Sequence, residues 1–313
     1  MVDKKDLLVE IGTEELPPQA LSRLEQAFQQ NFVNQLVQHK LEFESVESFA
    51  TPRRLALRIN SLDIAQQPRI DVRRGPSLKA AIDSAGNYTK AALGFARSCG
   101  VDVEDLGREE TPKGVWIIYE HKNEGDNTAS LIPSMVESAL SALPIQKRMR
   151  WGDLDTEFVR PVHWILLLLG DQPIESTVLG IKGSQYTRGH RFHHPNSIEI
   201  RLPSEYESKL RKPGMVEPSF VLRRKRINDQ VIDTASKIGA VPVLDSSLLD
   251  EVTSLTEWPV SVLGSFEEEF LDVPAEALIE TMQKNQKYFP LRNKNNKLLP
   301  KFITISNIES RDP

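Results

Sequence analysis

Five consecutive aliphatic residues, Ile165-Leu166-Leu167-Leu168-Leu169, constrain the fold of this chain more than any other stretch. A strand wetted on one side alternates apolar with polar residues, whereas an unbroken run needs cover on both faces. The flanks of the run are unusual. Lys147-Arg148-Met149-Arg150-Trp151-Gly152 and Phe158-Val159-Arg160-Pro161-Val162-His163-Trp164 precede it, and Thr187-Arg188-Gly189-His190-Arg191-Phe192-His193-His194-Pro195 follows. Both flanks interleave cations with aromatics, a combination that pairs with phosphate and stacks on bases. Such loops could meet at the ends of neighbouring strands and form one RNA-binding surface. The plainer alternative is surface arginines beside a core strand.

At 313 residues the chain is long enough for two or three domains. No apolar stretch approaches the roughly 18 residues of a membrane span, and Met1-Val2-Asp3-Lys4-Lys5-Asp6 has no apolar signal core behind it. The single cysteine, Cys99, excludes an internal disulfide and a multi-cysteine metal site. A cytoplasmic protein with no membrane contact fits. Net charge is −5, which by itself argues against a nucleic-acid partner. The distribution argues otherwise: Lys147–Arg226 holds 15 Lys and Arg against 9 Asp and Glu, while Asp245–Glu280 holds 10 acidic residues and no basic one. This asymmetry suggests a polyanion at one place and a different partner at another.

The pattern of elements is α+β and multi-domain. Leu7–Ile11 reads as a strand. Leu21, Leu24, Phe28, Phe32 and Leu36 then share one helix face. Phe43–Phe49 and Leu55–Ile59 read as strands joined through Thr51-Pro52-Arg53-Arg54. Arg69–Arg74 and Val115–Tyr119 are further strands, with helices expected at 78–83 and 90–99. Leu131, Met135, Ala139 and Leu143 mark another helix, which stops at Pro144; here the first domain (1–144) is expected to give way to a second (145–313). Within the second, a strand at 196–202 precedes a helical insertion at about 203–240, with Gly239 as its C-cap. Helices at 248–257 and 274–284 and strands at 259–263, 288–292 and 302–308 complete mixed sheets with covering helices.

Several motifs together resemble one family. They are Leu8-Val9-Glu10-Ile11-Gly12-Thr13-Glu14-Glu15-Leu16-Pro17, Thr51-Pro52-Arg53-Arg54-Leu55-Ala56, Arg148-Met149-Arg150-Trp151-Gly152, Phe158-Val159-Arg160-Pro161-Val162-His163, Arg188-Gly189-His190-Arg191-Phe192, Glu257-Trp258-Pro259, Val273-Pro274-Ala275-Glu276-Ala277-Leu278 and Gln286-Lys287-Tyr288-Phe289-Pro290. In order and over the whole length, the chain resembles the front half of the beta subunit of bacterial glycyl-tRNA synthetase. The HD-type and anticodon-binding domains of that family have no counterpart in it. The resemblance implies that an alpha subunit, in an α2β2 assembly, carries the active site for glycine and for ATP with Mg. The beta subunit would supply tRNA(Gly) recognition without catalytic residues or a cofactor of its own. It also implies that the central part is similar to the editing-type domain of the phenylalanyl-tRNA synthetase beta chain.

The residues agree with a subunit that handles tRNA. No phosphate loop or G-x-G-x-x-G is present, and neither class I synthetase signature is found. Phe158-Val159-Arg160 echoes the class II arginine motif, but Pro161 stands where an acidic partner is wanted. His163, His190, His193 and His194 make a poor metal site, since Arg188 and Arg191 would repel a cation. Glu14-Glu15 sits ahead of a helix, where its dipole favours acids. Cys99 has no activating base and reads as core, as do Trp151 and Trp164. The expected RNA-backbone contacts are Arg53, Arg54, Arg148, Arg150, Arg160, His163, Arg188, His190, Arg191 and Lys287. Arg223–Arg226 is a further phosphate candidate; Lys284 and Lys294 beside Lys287 are weaker ones. Arg160 has an alternative role, pinned by a buried carboxylate. Two rival readings remain: a tRNA-editing deacylase using His163, His190 or Glu15, and a scaffold that docks the alpha subunit through Asp245–Glu280 without touching RNA.

Overall fold

The computed structural model describes residues 3–153 and 155–310. Its contacts divide the chain into two compact units, a small one at Ala65–Thr128 and a larger one at Asp3–Ile64 and from Ala129 onward. The larger unit begins with β1 (Lys4–Thr13), α1 (Leu21–Gln38), β2 (Ser45–Thr51) and β3 (Arg54–Asp63). The five apolar residues that define the expected face of α1 are all buried, each contributing about 1.5–3 kcal/mol by leaving water.

The small unit comprises β4 (Arg69–Ser77), the single turn α2 (Leu78–Ala81), α3 (Lys90–Cys99), β5 (Gly107–Thr111) and β6 (Gly114–Asn123). The strands form an antiparallel sheet in the order β4-β6-β5. Its core is small: Ala81, Ala92 and Ile117, with Phe95 and Leu106 packed against them. Thr89 caps α3 through Ala92 N, and Gly100 ends it in the left-handed conformation.

The larger unit resumes with α4 (Thr128–Ser141), the hairpin of β7 (Met149–Arg150) and β8 (Glu157–Phe158), β9 (Val162–Leu169), and three short strands, β10 (Gln172–Pro173), β11 (Thr177–Val178) and β12 (Ile181–Ser184). A seven-stranded sheet runs β11-β12-β9-β1-β3-β2, with β10 also on β9. The aliphatic run lies in β9, antiparallel to β1 from Leu7↔Leu169 to Gly12↔Trp164, with β12 parallel on its other side. Its side chains alternate between two cores. Ile165, Leu167 and Leu169 join Val9, Leu57 and the faces of α1 and α4. Leu166 and Leu168 join Leu8 and Ala56 beneath Tyr206 and Leu210.

The chain continues through β13 (Tyr186–Arg188), β14 (Ser197–Glu199), α5 (Tyr206–Arg211), α6 (Phe220–Lys237), β15 (Val241–Pro242), α7 (Ser246–Leu255), β16 (Val260–Ser265), α8 (Ala275–Lys284), β17 (Phe289–Arg292) and β18 (Leu298–Ser306). A four-stranded antiparallel sheet, β15-β17-β18-β16, packs Phe289, Leu291 and Ile303 against Ile227, Val231 and Ala235 of α6 and against Leu248, Leu249 and Val252 of α7. The fold is thus mixed α+β, with eight α-helices among the described residues.

Two expectations about organisation need correction. No division falls at 144/145, because β9 beyond that point pairs along β1 before it; the separate unit is instead the segment 65–128. The stretch at 203–240 is not an insertion apart from the sheet. One face of α6 completes the core under β17 and β18, and Arg223 on the buried side of the helix is a cation in the interior.

Candidate functional site

The site is built at the end of β1 where Gly12-Thr13-Glu14-Glu15-Leu16 leaves the sheet. Three backbone hydrogen bonds gather the neighbouring loops there: Thr13 N to Arg53 O at 2.8 Å, Glu14 N to Pro161 O at 2.9 Å and Leu16 N to Pro52 O at 2.6 Å. Gly12 faces Trp164 across β1 and β9. A Cβ at Gly12 would lie 1.9 Å from the indole ring, so only glycine lets Trp164 settle over the strand.

Around that indole stand three guanidinium groups, with Arg188 at 5.5 Å from the ring and Arg53 and Arg54 each at 5.7 Å. Glu14 binds two further side chains. His163 shares a hydrogen bond with Glu14 Oε1 at 2.9 Å, and Arg191 donates to Oε2 at 2.8 Å. Partial burial would raise the Glu14 carboxyl, but Arg191 and His163 outweigh it and hold the group below its ordinary value. Arg160 donates to the backbone oxygens of Glu15 and Val159, each at 3.0 Å, so its anchors are carbonyls rather than a buried carboxylate. The later part of the first basic loop and the second basic loop therefore meet. Arg53, Arg160, Arg188 and Arg191 gather there against two carboxylates, Glu14 and Glu15.

Beneath this surface lies a buried polar network. Arg54 is fully buried; it donates to Glu10 at 3.5 Å, Thr187 at 3.2 Å, Glu257 at 3.2 Å and the carbonyl of Arg188 at 2.9 Å. Glu10 also receives Trp164 Nε1 at 2.5 Å and Thr187 Oγ1 at 2.7 Å, and Glu257 receives Thr51 Oγ1 at 2.7 Å. Burial alone would lower the affinity of Arg54 for its proton, but Glu257 and Glu10 reverse that and keep it charged. Burial likewise opposes ionisation of Glu257, yet Arg54 and the Thr51 hydroxyl bring its carboxyl below the ordinary range. The network joins β1, β2, β3, β13 and the end of α7, and it orients Trp164 and the Arg188 backbone from below.

The expected contacts separate on this geometry. Arg53, Arg160, His163, Arg188 and Arg191 come together. Arg54 and His190 do not qualify, since both are buried and no phosphate can reach them. His190 instead accepts the amides of Phe192 and His193 at its Nδ1, each at 3.3 Å, and shapes that loop. Burial moves its pKa down, and its burial also keeps the ring from facing a substrate. Arg148 and Arg150 stand apart: Arg148 caps α4 at Ser141 O, and Arg150 pairs with Glu157 and Asp155 of its own hairpin. Lys287 is held by Glu251 at 2.8 Å. Of the further run, Arg223 is fully buried among the carbonyls of Thr253, Glu217 and Ala50 and pushed down to about 10 by that burial. Arg224 pairs with Asp250 and Lys225 with Asp229, while Arg226 stacks on Trp258 at 3.9 Å. The residues that sequence reasoning passed over are Glu10, Thr51, Thr187 and Glu257. Glu10 had a visible signal, a lone carboxylate inside an apolar strand, which demands a buried partner.

The site is thus a cationic rim over a sheet with a core on either face. Comparison with known proteins identifies the family. The sequence profile described as "Glycyl-tRNA synthetase beta subunit" matches residues 7–313. The chain is 49% identical over its full length to the glycine–tRNA ligase beta subunit of Hahella chejuensis. It is 49% identical over 310 residues to that of Marinobacter nauticus and 47% identical over 309 residues to that of Shewanella woodyi. It spans 45% of the length of each of these relatives. The chain belongs to the glycyl-tRNA synthetase beta subunit family.

Proposed function

We propose that this chain serves the ATP-dependent joining of glycine to tRNA(Gly) as the front portion of a beta subunit. It holds the tRNA backbone and takes part in assembly with an alpha subunit, which carries the chemistry and binds ATP with Mg in an α2β2 complex. The observation that supports this reading is the gathering of Arg53, Arg160, Arg188 and Arg191 around Trp164 and Glu14 at one end of the sheet. Guanidinium groups fixed beside an indole meet phosphate in plane and leave an aromatic edge for a base. The likeness to an editing-type domain belongs to the same reading, as a tRNA-handling unit without the hydrolytic step.

Binding of labelled tRNA(Gly) to the chain across a salt series tests the proposal. About four phosphate contacts give a log–log slope near −3 to −4. Arg188→Glu should weaken binding and reduce the slope by about 1 or more. Arg148→Glu with Arg150→Glu tests whether the separate hairpin adds to the footprint. Retention that ignores salt and survives Arg188→Glu would leave no place for an RNA role here.

A further inference from the structure

We propose that the outer face of the β17–β18–β16 sheet is a docking groove for an amphipathic helix of a partner protein, apolar on one face and flanked by Lys and Arg. An open hollow of about 430 Å³ lies on this face, walled by Phe266, Phe270, Leu278, Met282, Tyr288 and Phe302. Its floor is a ring stack: Tyr288 and Phe302 lie 4.1 Å apart with their planes at 10°, and Phe302 packs over Gly264, where any Cβ would strike it. Phe270, Val273 and Val262 are each more than 40% exposed along or beside the rim. The hollow is far from the cationic end built by β1 and β9 in sequence and opposite to it in charge.

Charge identifies the occupant. In the chain, Glu267, Glu268, Glu269 and Asp272 flank the wall residues Phe266 and Phe270, and Glu276 precedes Leu278, which gives this stretch an acidic border. All five are exposed and none is in an ion pair with a described residue, while Glu280 is taken by Lys284. A phosphate backbone is repelled by such a rim, and a purely apolar segment leaves those carboxylates unused. A helix with apolar residues spaced three and four apart and basic flanks satisfies both. An added β-strand is disfavoured where β16 begins, because Gln230 holds the outer edge there, receiving Ser261 N at 2.9 Å and donating to Pro259 O at 3.0 Å. The groove itself stands without the function proposed above; only the naming of its natural occupant as a segment of the alpha subunit rests on that reading.

The test uses the whole chain and fluorescence anisotropy with three labelled probes of equal length: a helical Leu/Lys peptide with leucines on one face, its scrambled isomer, and a Leu/Glu counterpart. The Leu/Lys helix should bind, and the other two should bind at least about tenfold more weakly. Phe270→Ser, which keeps every charge, should lose about tenfold, as should the joint change Glu268→Lys, Glu269→Lys and Asp272→Lys, with circular dichroism confirming the fold of both. Equal binding of the scrambled peptide, or no loss in Phe270→Ser, overturns the proposal in favour of mere electrostatic adhesion. Self-association in sedimentation velocity that Phe270→Ser abolishes overturns it in favour of a second copy, and tRNA displacing the Leu/Lys helix overturns it in favour of RNA. Loss of alpha-subunit capture in Phe270→Ser, with the salt-dependent tRNA binding intact, supports the groove and separates it from the cationic site.

Discussion

At the scale of single residues, the decisive group is Arg54, because it holds two buried carboxylates at once. Replacement by Met keeps most of the volume but leaves Glu10 and Glu257 uncompensated in the core. Breaking a buried ion pair in this one-sided way costs about 3–5 kcal/mol. Urea denaturation of Arg54→Met should show a loss in that range, and adding Glu257→Gln should recover part of it, since the two sites are coupled. A loss no larger than that of an exposed arginine would mean that the network carries no stability. Gly12→Ala tests the surface above. The added methyl must displace the indole, so Trp164 fluorescence should shift towards that of an exposed ring even where the fold survives. His190 gives the pH dependence. Burial depresses its folded pKa below the ordinary 6.5, so its contribution is fully present above that value and is lost as pH falls through the folded pKa. His190→Asn keeps an acceptor near the amides of Phe192 and His193. Stability measured between about pH 7 and pH 5 should therefore fall less in the variant than in the native chain; parallel curves would assign the acid sensitivity elsewhere.

At the scale of elements, periodicity revealed what faces a core and concealed what a cation does there. The spacing of Leu21 to Leu36 marked α1 residue by residue, and the unbroken Ile165–Leu169 marked a strand with a core on either side. Both signals are local and survive without a partner. The same logic failed for α6, because Arg223 was read with Arg224, Lys225 and Arg226 as one run of phosphate contacts. Their spacing around a helix points them in different directions: Arg223 goes inward to three carbonyls, and Arg226 goes to Trp258. Arg54 failed likewise, since a charged residue at the start of a strand looks exposed until Glu10 and Glu257 are placed beside it from 44 and 203 residues away. The meeting of Arg160 with Arg191 was legible only as a possibility. It depends on the turn after Gly12, which no periodicity encodes.

At the scale of the whole molecule, the sequence misled about where the units divide, because Pro144 is a strong local stop while the true junctions at 64/65 and 128/129 carry little punctuation. The small unit interrupts the larger one between β3 and α4, and its two ends lie side by side, with Ala65 bridged to Asn127 and Gln66 N donating to Asp126 O at 2.9 Å. A segment that leaves and returns at one point has its own small core and takes none of the strands of the seven-stranded sheet. Deleting residues 66–126 and joining Ala65 to Asn127 through a short glycine linker should leave a chain that still melts cooperatively, since loop-closure entropy changes only by about 0.6 kcal/mol per doubling of length. The cationic end lies wholly within the larger unit, so the deleted protein should also keep the steep salt dependence of tRNA(Gly) binding. Loss of cooperative melting would show that the small unit completes the larger core. Cooperative melting without RNA binding would move the RNA contact to the strands β4, β5 and β6.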